Sequence, residues 1–141
     1  MRSAPYLPQL LTVFLVSAAA AAQSPWGFPL GQRFVAVSLN GQTYDDKAPT
    51  FAVKADSDRM TGAGFAGCNT WFGQVRIGQN AIDVSNLGST KMYCAERMPA
   101  EQGFLSALKD VKQWHMEGAS LVLEGGPTRL LLAPAGAAQP N

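Results

Sequence analysis

Few side chains in this 141-residue chain can do covalent or acid–base chemistry. There are two cysteines, Cys68 and Cys94, and one histidine, His115. A thiol nucleophile needs a base close by and a third group that orients the base. His115 stands in QWHMEG between Trp114 and Met116, the setting of a surface or packed residue on a strand. A zinc site needs three or four ligands at favourable spacing, and two cysteines with one histidine make no such motif. Glu101, Glu117 and Glu124 are scattered near element ends and read as solvated charges, not as a pair of carboxylates facing each other across a cleft. Asp56 and Asp58 resemble the start of a calcium loop, but the glycine and the closing glutamate are missing. There is no phosphate-cradling glycine loop ahead of a helix and no GxSxG elbow. The expectation is a protein with no catalytic residues, no metal and no cofactor.

The cysteines therefore call for another explanation, and the start of the chain supplies one. Arg2 precedes an apolar run, Leu10 to Val16, and an alanine tract, Ala18 to Ala22. Ala20-Ala21-Ala22 fits the small-x-small pattern of a signal-peptidase site, so residues 1–22 read as a signal peptide cut near Ala22–Gln23. The apolar core is shorter than the roughly 20 residues needed to span a bilayer. The expected location is periplasmic or secreted. An even cysteine count in an oxidising compartment reads first as a disulfide, Cys68 to Cys94. It would close a loop of about 27 residues, worth roughly 3–4 kcal/mol by chain entropy. Eleven Lys and Arg face ten Asp and Glu, and the loss of Arg2 leaves the rest about neutral. No basic stripe argues for nucleic acid, and no later apolar run is long enough for a membrane span.

The elements that must position these residues are mostly strands. QSPWGFPLG, 23–31, has no periodicity and reads as an irregular leader whose Trp26 and Phe28 tuck onto the domain. From Phe34 to Leu39 the chain is β-rich, and Asn40-Gly41 is a strong hairpin signal. Thr50 to Ala55 alternates with Phe51 and Val53 on one face, and Asp56-Ser57-Asp58 turns. Arg59 to Phe65 carries Gly62 and Gly64, which inside a strand mark a bulge or close backbone approach. Strands follow at 71–77 and 81–84, and 87–94 is extended and ambiguous. Phe104, Leu105, Leu108 and Val111 fall at helical spacing, with Pro99 in the first turn, so a helix is expected over about 99–112. Gln113 to Met116 is a lead-in to the strands 119–124 and 128–133, joined at Gly125-Gly126-Pro127. The fold class is mainly β (α+β). Seven or eight short strands form a curved antiparallel sheet or partial barrel with one packed helix. The domain spans 32–133, and 134–141 is a low-complexity tail expected to be disordered.

The stretch GFAGCNTWFG, 64–73, sits at the centre of this plan. Gly67 and Asn69 flank Cys68 in a tight turn, and the Asn69 side chain can bond neighbouring backbone groups. Trp71 and Phe72 then point to opposite faces of a strand, one to the core and one to the rim. Together with LGSTKMYC, EQGFLSALKDV and a final hairpin, this stretch resembles the META domain family, the HslJ-like heat-shock proteins of bacteria. The resemblance covers about Gly31 to Ala133. Residues Gly67, Cys68 and Asn69 match the family turn, and Thr90, Met92 and Cys94 match the second motif. Phe34 stands where members often have Trp, and Tyr93 where the residue is often small. The resemblance implies a compact antiparallel β domain of exported or envelope proteins, with no established catalysis and a loose link to stress response.

Two functions lead the expectation, ahead of a hydrolase of envelope polymers or an inhibitor of one. The first is a non-enzymatic envelope domain acting by contact with another envelope protein, through Trp71, Phe72 or Tyr93, in stress response or envelope maintenance. The second is a carrier of a small apolar ligand or lipid, whose cavity Phe51, Val53, Ile77, Ile82 and Leu121 would line.

Overall fold

Asn40 and Gly41 take positive φ angles of 51° and 84°, the pair of values a type I′ turn requires. In the computed structural model, which describes residues 25–136 together with Ser3 and Pro5, this turn joins β1 (Phe34–Leu39) to the two-residue β2 (Gln42–Thr43). A second tight turn, with Ser57 at φ 55°, joins β3 (Thr50–Asp56) to β4 (Arg59–Phe65). Then come β5 (Thr70–Ile77), β6 (Ile82–Ser89), α1 (Met98–Asp110), β7 (Gln113–Glu117), β8 (Ser120–Gly125) and β9 (Thr128–Pro134). The signal peptide expected at 1–22 and the end of the tail, 137–141, lie outside the described residues apart from Ser3 and Pro5.

The strands pair in the order β6-β5-β4-β3-β1-β9-β8-β7, with β2 beside β1. Every pairing is antiparallel. The sheet curls until its two outer strands touch at their starts. Ala81 bridges Gln113, Ile82 N–H donates to Lys112 C=O at 3.0 Å, and Trp114 N–H to Asn80 C=O at 3.1 Å. Beyond that corner the edges separate, which makes a half-barrel. The segment 113–116, expected as a lead-in, is a full strand because it supplies this closing edge.

Helix α1 seats in the concavity against β6 and β9. Its Phe104 and Leu108, and Val111 just past its end, are fully buried. They meet Phe51, Val53, Trp71, Ile82 and Leu121 in one cluster, with Ile77 packed against it. The residues expected to line a carrier's cavity thus lie in this core, with Ile77 at its margin. Trp71 stacks on Phe51 at 5.6 Å between ring centroids and meets Phe104 edge-on at 6.2 Å. Its indole N–H donates to Thr50 C=O at 2.8 Å. Gly64 runs so close to the Thr50 carbonyl that any Cβ would overlap it, the close approach a strand glycine signals.

Two details differ from the sequence reading. Phe28 tucks under the sheet edge-on to Trp114 at 5.0 Å, but Trp26 is 60% exposed. Strand β9 continues to Pro134, and Ala135 N–H donates to Arg33 C=O at 2.8 Å, so ordered pairing runs past the expected boundary at 133. The sheet also forks. β1 pairs with β3 only at Phe34–Phe51 and Val35–Thr50, then takes β2 as its neighbour.

Candidate functional site

The turn between β4 and β5 brings the two sequence motifs together. Gly67 adopts φ 131°, and a Cβ there would press on the Glu101 backbone at 3.4 Å, so the turn lies directly on the first turn of α1. Cys68 and Cys94 form a disulfide with Cα atoms 5.9 Å apart. It fastens this turn to the segment that enters the helix, where Arg97 and Met98 N–H both donate to Cys94 C=O.

Asn69 is 2% exposed, and its side chain uses its full hydrogen-bonding capacity. Its Nδ2 donates to Met92 C=O at 3.0 Å and to Glu101 Oε2 at 2.7 Å. Its Oδ1 accepts from Thr90 Oγ1 at 2.9 Å and Met92 N–H at 2.6 Å. Thr90 Oγ1 in turn accepts from Thr70 N–H at 3.1 Å. The sequence reading had Asn69 bonding neighbouring backbone. Its partners are instead more than 20 residues away, because the turn is wedged between two other segments.

Glu101, expected as a solvated charge, is the third member of this cluster. It is 2% exposed. Its Oε1 accepts from the backbone N–H of Asn69 at 2.6 Å and of Cys68 at 3.1 Å. Burial pushes its carboxyl up, but the bonds from Asn69 and Cys68 and the charge of Lys91 more than offset that and hold it below its ordinary value. One signal pointed to it: 101, 104, 108 and 111 form a single helical stripe whose other members are buried.

This clasp leaves little reactive capacity. The thiols are bonded to each other, Glu101 is an ionised acceptor with three donors, and Asn69 is saturated. His115 lies on β7, partly exposed, with Nε2 3.1 Å from Glu117 and Nδ1 3.4 Å from Glu124. Among the described residues, no three His, Cys, Asp or Glu side chains are grouped to hold a metal ion.

Of the expected contact residues, Trp71 is fully buried and offers no surface. Phe72, on the opposite face of β5, is 50% exposed, and Tyr93 is 80% exposed. Met92 is 60% exposed although its backbone is held by Asn69.

On the other side of α1's first turn, the fork in the sheet opens a cleft of about 390 Å³ between the β1–β2 hairpin, the loop after it and the helix. Arg97 closes one side through Nη1, which donates to Asp45 Oδ2 at 2.9 Å and Oδ1 at 3.1 Å. Tyr44 lines the cleft as well, and its hydroxyl is buried without a hydrogen-bond partner among the described residues.

Fold and site together define a small antiparallel half-barrel pinned by a disulfide and a buried carboxylate. The META domain family matches residues 29–136, and the chain belongs to that family. Two solved structures share the architecture. A protein from Burkholderia xenovorans, determined by NMR, is 18% identical, with 76% of this chain and 83% of that one aligned at a TM-score of 0.60. A second NMR structure is 23% identical over 77% of this chain and 92% of that one, also at 0.60. At these identities the likeness is one of fold. No curated protein matches the chain.

Proposed function

We propose that this META domain protein is an exported, non-catalytic domain that acts by protein contact in the cell envelope, in stress response or envelope maintenance. One observation carries the reading. The groups of the family motif that could do chemistry are all engaged in holding the fold, while apolar side chains on the segments they hold face solvent. Met92 and Tyr93 ride on the cross-linked segment, and Phe72 stands on the adjoining strand. Large apolar groups exposed on a rigid support are typical of contact sites. Export is supported by the disulfide and by the apolar, alanine-rich start of the sequence.

The test has two arms. In the host, a photo-crosslinking residue at position 93 should give a discrete adduct with one envelope protein, lost when Phe72 and Met92 are both changed to Ser. In vitro, the oxidised protein should turn over none of a broad panel of ester, peptide and glycan substrates. Turnover that disappears on substitution of one polar residue would end this reading.

A further inference from the structure

The cleft beside the clasp is lined by both apolar and charged side chains. It is a concave space of about 390 Å³, within the range of small-molecule sites, roughly 300–1,000 Å³. Leu39, Pro49, Pro99 and Ala100 give it apolar walls. Its polar groups are incompletely matched. Arg97 has only 25% of its side chain exposed. A guanidinium carries five N–H donors in a planar fork that fits a carboxylate with two parallel bonds. Here both oxygens of Asp45 share the single Nη1, and Nη2 and Nε make no hydrogen bond among the described residues. Asp45 itself is 58% exposed, on a loop, where its other hydrogen bond comes from Lys47 N–H at 2.8 Å. Lys47 also lines the cleft, so its charged lining of Asp45, Lys47 and Arg97 is net positive. Behind this lining the Tyr44 hydroxyl is buried and has no hydrogen-bond partner among the described residues.

We propose that this cleft binds a small organic carboxylate, whose acid group replaces Asp45 on Arg97 while its apolar body lies against the proline and leucine walls. Asp45 is the internal stand-in for that acid. Asp45 is largely exposed and holds Arg97 through one nitrogen only, so the pair an incoming carboxylate must displace is a weak one. The incoming carboxylate gains the two-bond fork geometry and the apolar walls. This inference is independent of the contact reading, since Phe72, Met92 and Tyr93 are not part of the cleft lining.

The experiment is a titration of the isotope-labelled, oxidised protein followed by amide chemical shifts. The probes are hexanoate and N-acetyl-Ala-Ala, each beside its neutral amide, up to about 10 mM, enough to saturate a site with a Kd of about 1 mM. Saturable shifts confined to residues 39–49 and 97–103, given by an acid and not by its amide, are expected. A response to hexanoate alone assigns the site to free acids; a response to N-acetyl-Ala-Ala assigns it to chain-terminal carboxylates. Asp45→Asn should tighten binding about five- to tenfold by removing the charged competitor, and Arg97→Gln should weaken it more than about tenfold. A purely structural Arg97–Asp45 pair predicts no gain from Asp45→Asn. The proposal is overturned if neither acid shifts these amides in either the wild type or folded Asp45→Asn protein. It is also overturned if the amides bind as well as the acids.

Discussion

The first turn of α1 has two sides, and they are finished differently. On one side Glu101 faces the β4–β5 turn, and its acceptors, the donors it meets and the side chain of Asn69 are all paired. On the other side Arg97 and Tyr44 border a cleft where, among the described residues, guanidinium donors and a hydroxyl buried behind the lining make no hydrogen bond. A buried polar network that is fully satisfied specifies a unique packing and rigidifies it. Polar groups left unsatisfied weaken the fold and persist where something else uses them. The contrast separates a part of the molecule that holds structure from a part that is available to a ligand. It also places Cys68, Asn69 and Cys94 of the family's motifs on the structural side.

The sharpest way to break this comparison is to empty the clasp of its carboxylate. Glu101→Ala leaves three buried donors facing a cavity, and each unsatisfied donor costs about 1–3 kcal/mol. The effects are not additive, so a loss of about 3–5 kcal/mol is expected, the range for breaking a buried charged network. Urea unfolding followed by tryptophan fluorescence reads it directly. Glu101→Gln keeps the shape but turns an N–H₂ toward one of those donors, and should cost about 1–3 kcal/mol. A loss below about half a kcal/mol for Glu101→Ala would mean that the clasp does not hold the fold.

Cutting the covalent half should have the next largest effect. The disulfide closes a loop of 26 residues' separation, and its removal by Cys68→Ser with Cys94→Ser should cost about 3 kcal/mol on the chain-entropy account. For a domain of this size that is a fall in Tm of about ten degrees or more. The hydrogen bonds of Asn69 and Glu101 join the same two segments, so the double mutant should still fold. Combining it with Glu101→Gln should cost more than the sum of the two, since each restraint then lacks the other.

These two perturbations concern residues that were unequally legible in the sequence. Cys68 and Cys94 could be paired from their count and compartment alone. The Asn40-Gly41 hairpin, the split of Trp71 and Phe72 between core and rim, and the helix near 99–112 follow from local periods and turn chemistry. Glu101 was misread because its residue type outweighed its position. Charged residues are almost never fully buried, and that rule hid a stripe on which Glu101 precedes Phe104, Leu108 and Val111. The partners of Asn69 and the fork where β1 exchanges β3 for β2 depend on contacts distant in the chain, which no local pattern encodes. The cleft exists because of that fork and was invisible for the same reason.

Acid gives a gentler way to probe the clasp. The folded carboxyl of Glu101 titrates below the ordinary glutamate value of 4.5, so the folded state takes up that proton less readily than the unfolded chain. Its contribution is therefore complete above about 4.5 and is lost as pH falls through the lower folded value. Asp45 and Glu117 are lowered as well, but both are exposed. The difference between wild type and Glu101→Gln isolates the clasp. Urea midpoints measured from pH 7 to about 3 should fall more steeply for the wild type, and parallel curves would show that the buried carboxylate is not linked to folding.

The smallest effect has the opposite sign and belongs to the cleft. Deleting a satisfied hydroxyl destabilises a protein, whereas deleting a buried one with no partner removes a desolvation penalty and nothing else. Tyr44→Phe should therefore stabilise the ligand-free protein, by about 1 kcal/mol. Burial also pushes the Tyr44 hydroxyl up to about 12 from 10.0, so the folded state holds this proton more tightly than the unfolded chain. That contribution is intact below about 10 and is lost as pH rises toward 12, so the wild type should show an alkaline decline in stability that Tyr44→Phe lacks. The same substitution should loosen a bound carboxylate if the hydroxyl serves the ligand. A variant that gains stability while losing affinity separates a group kept for binding from one kept for folding. A destabilised Tyr44→Phe protein would place Tyr44 with the clasp, and the contrast between the two sides of the helix would no longer hold.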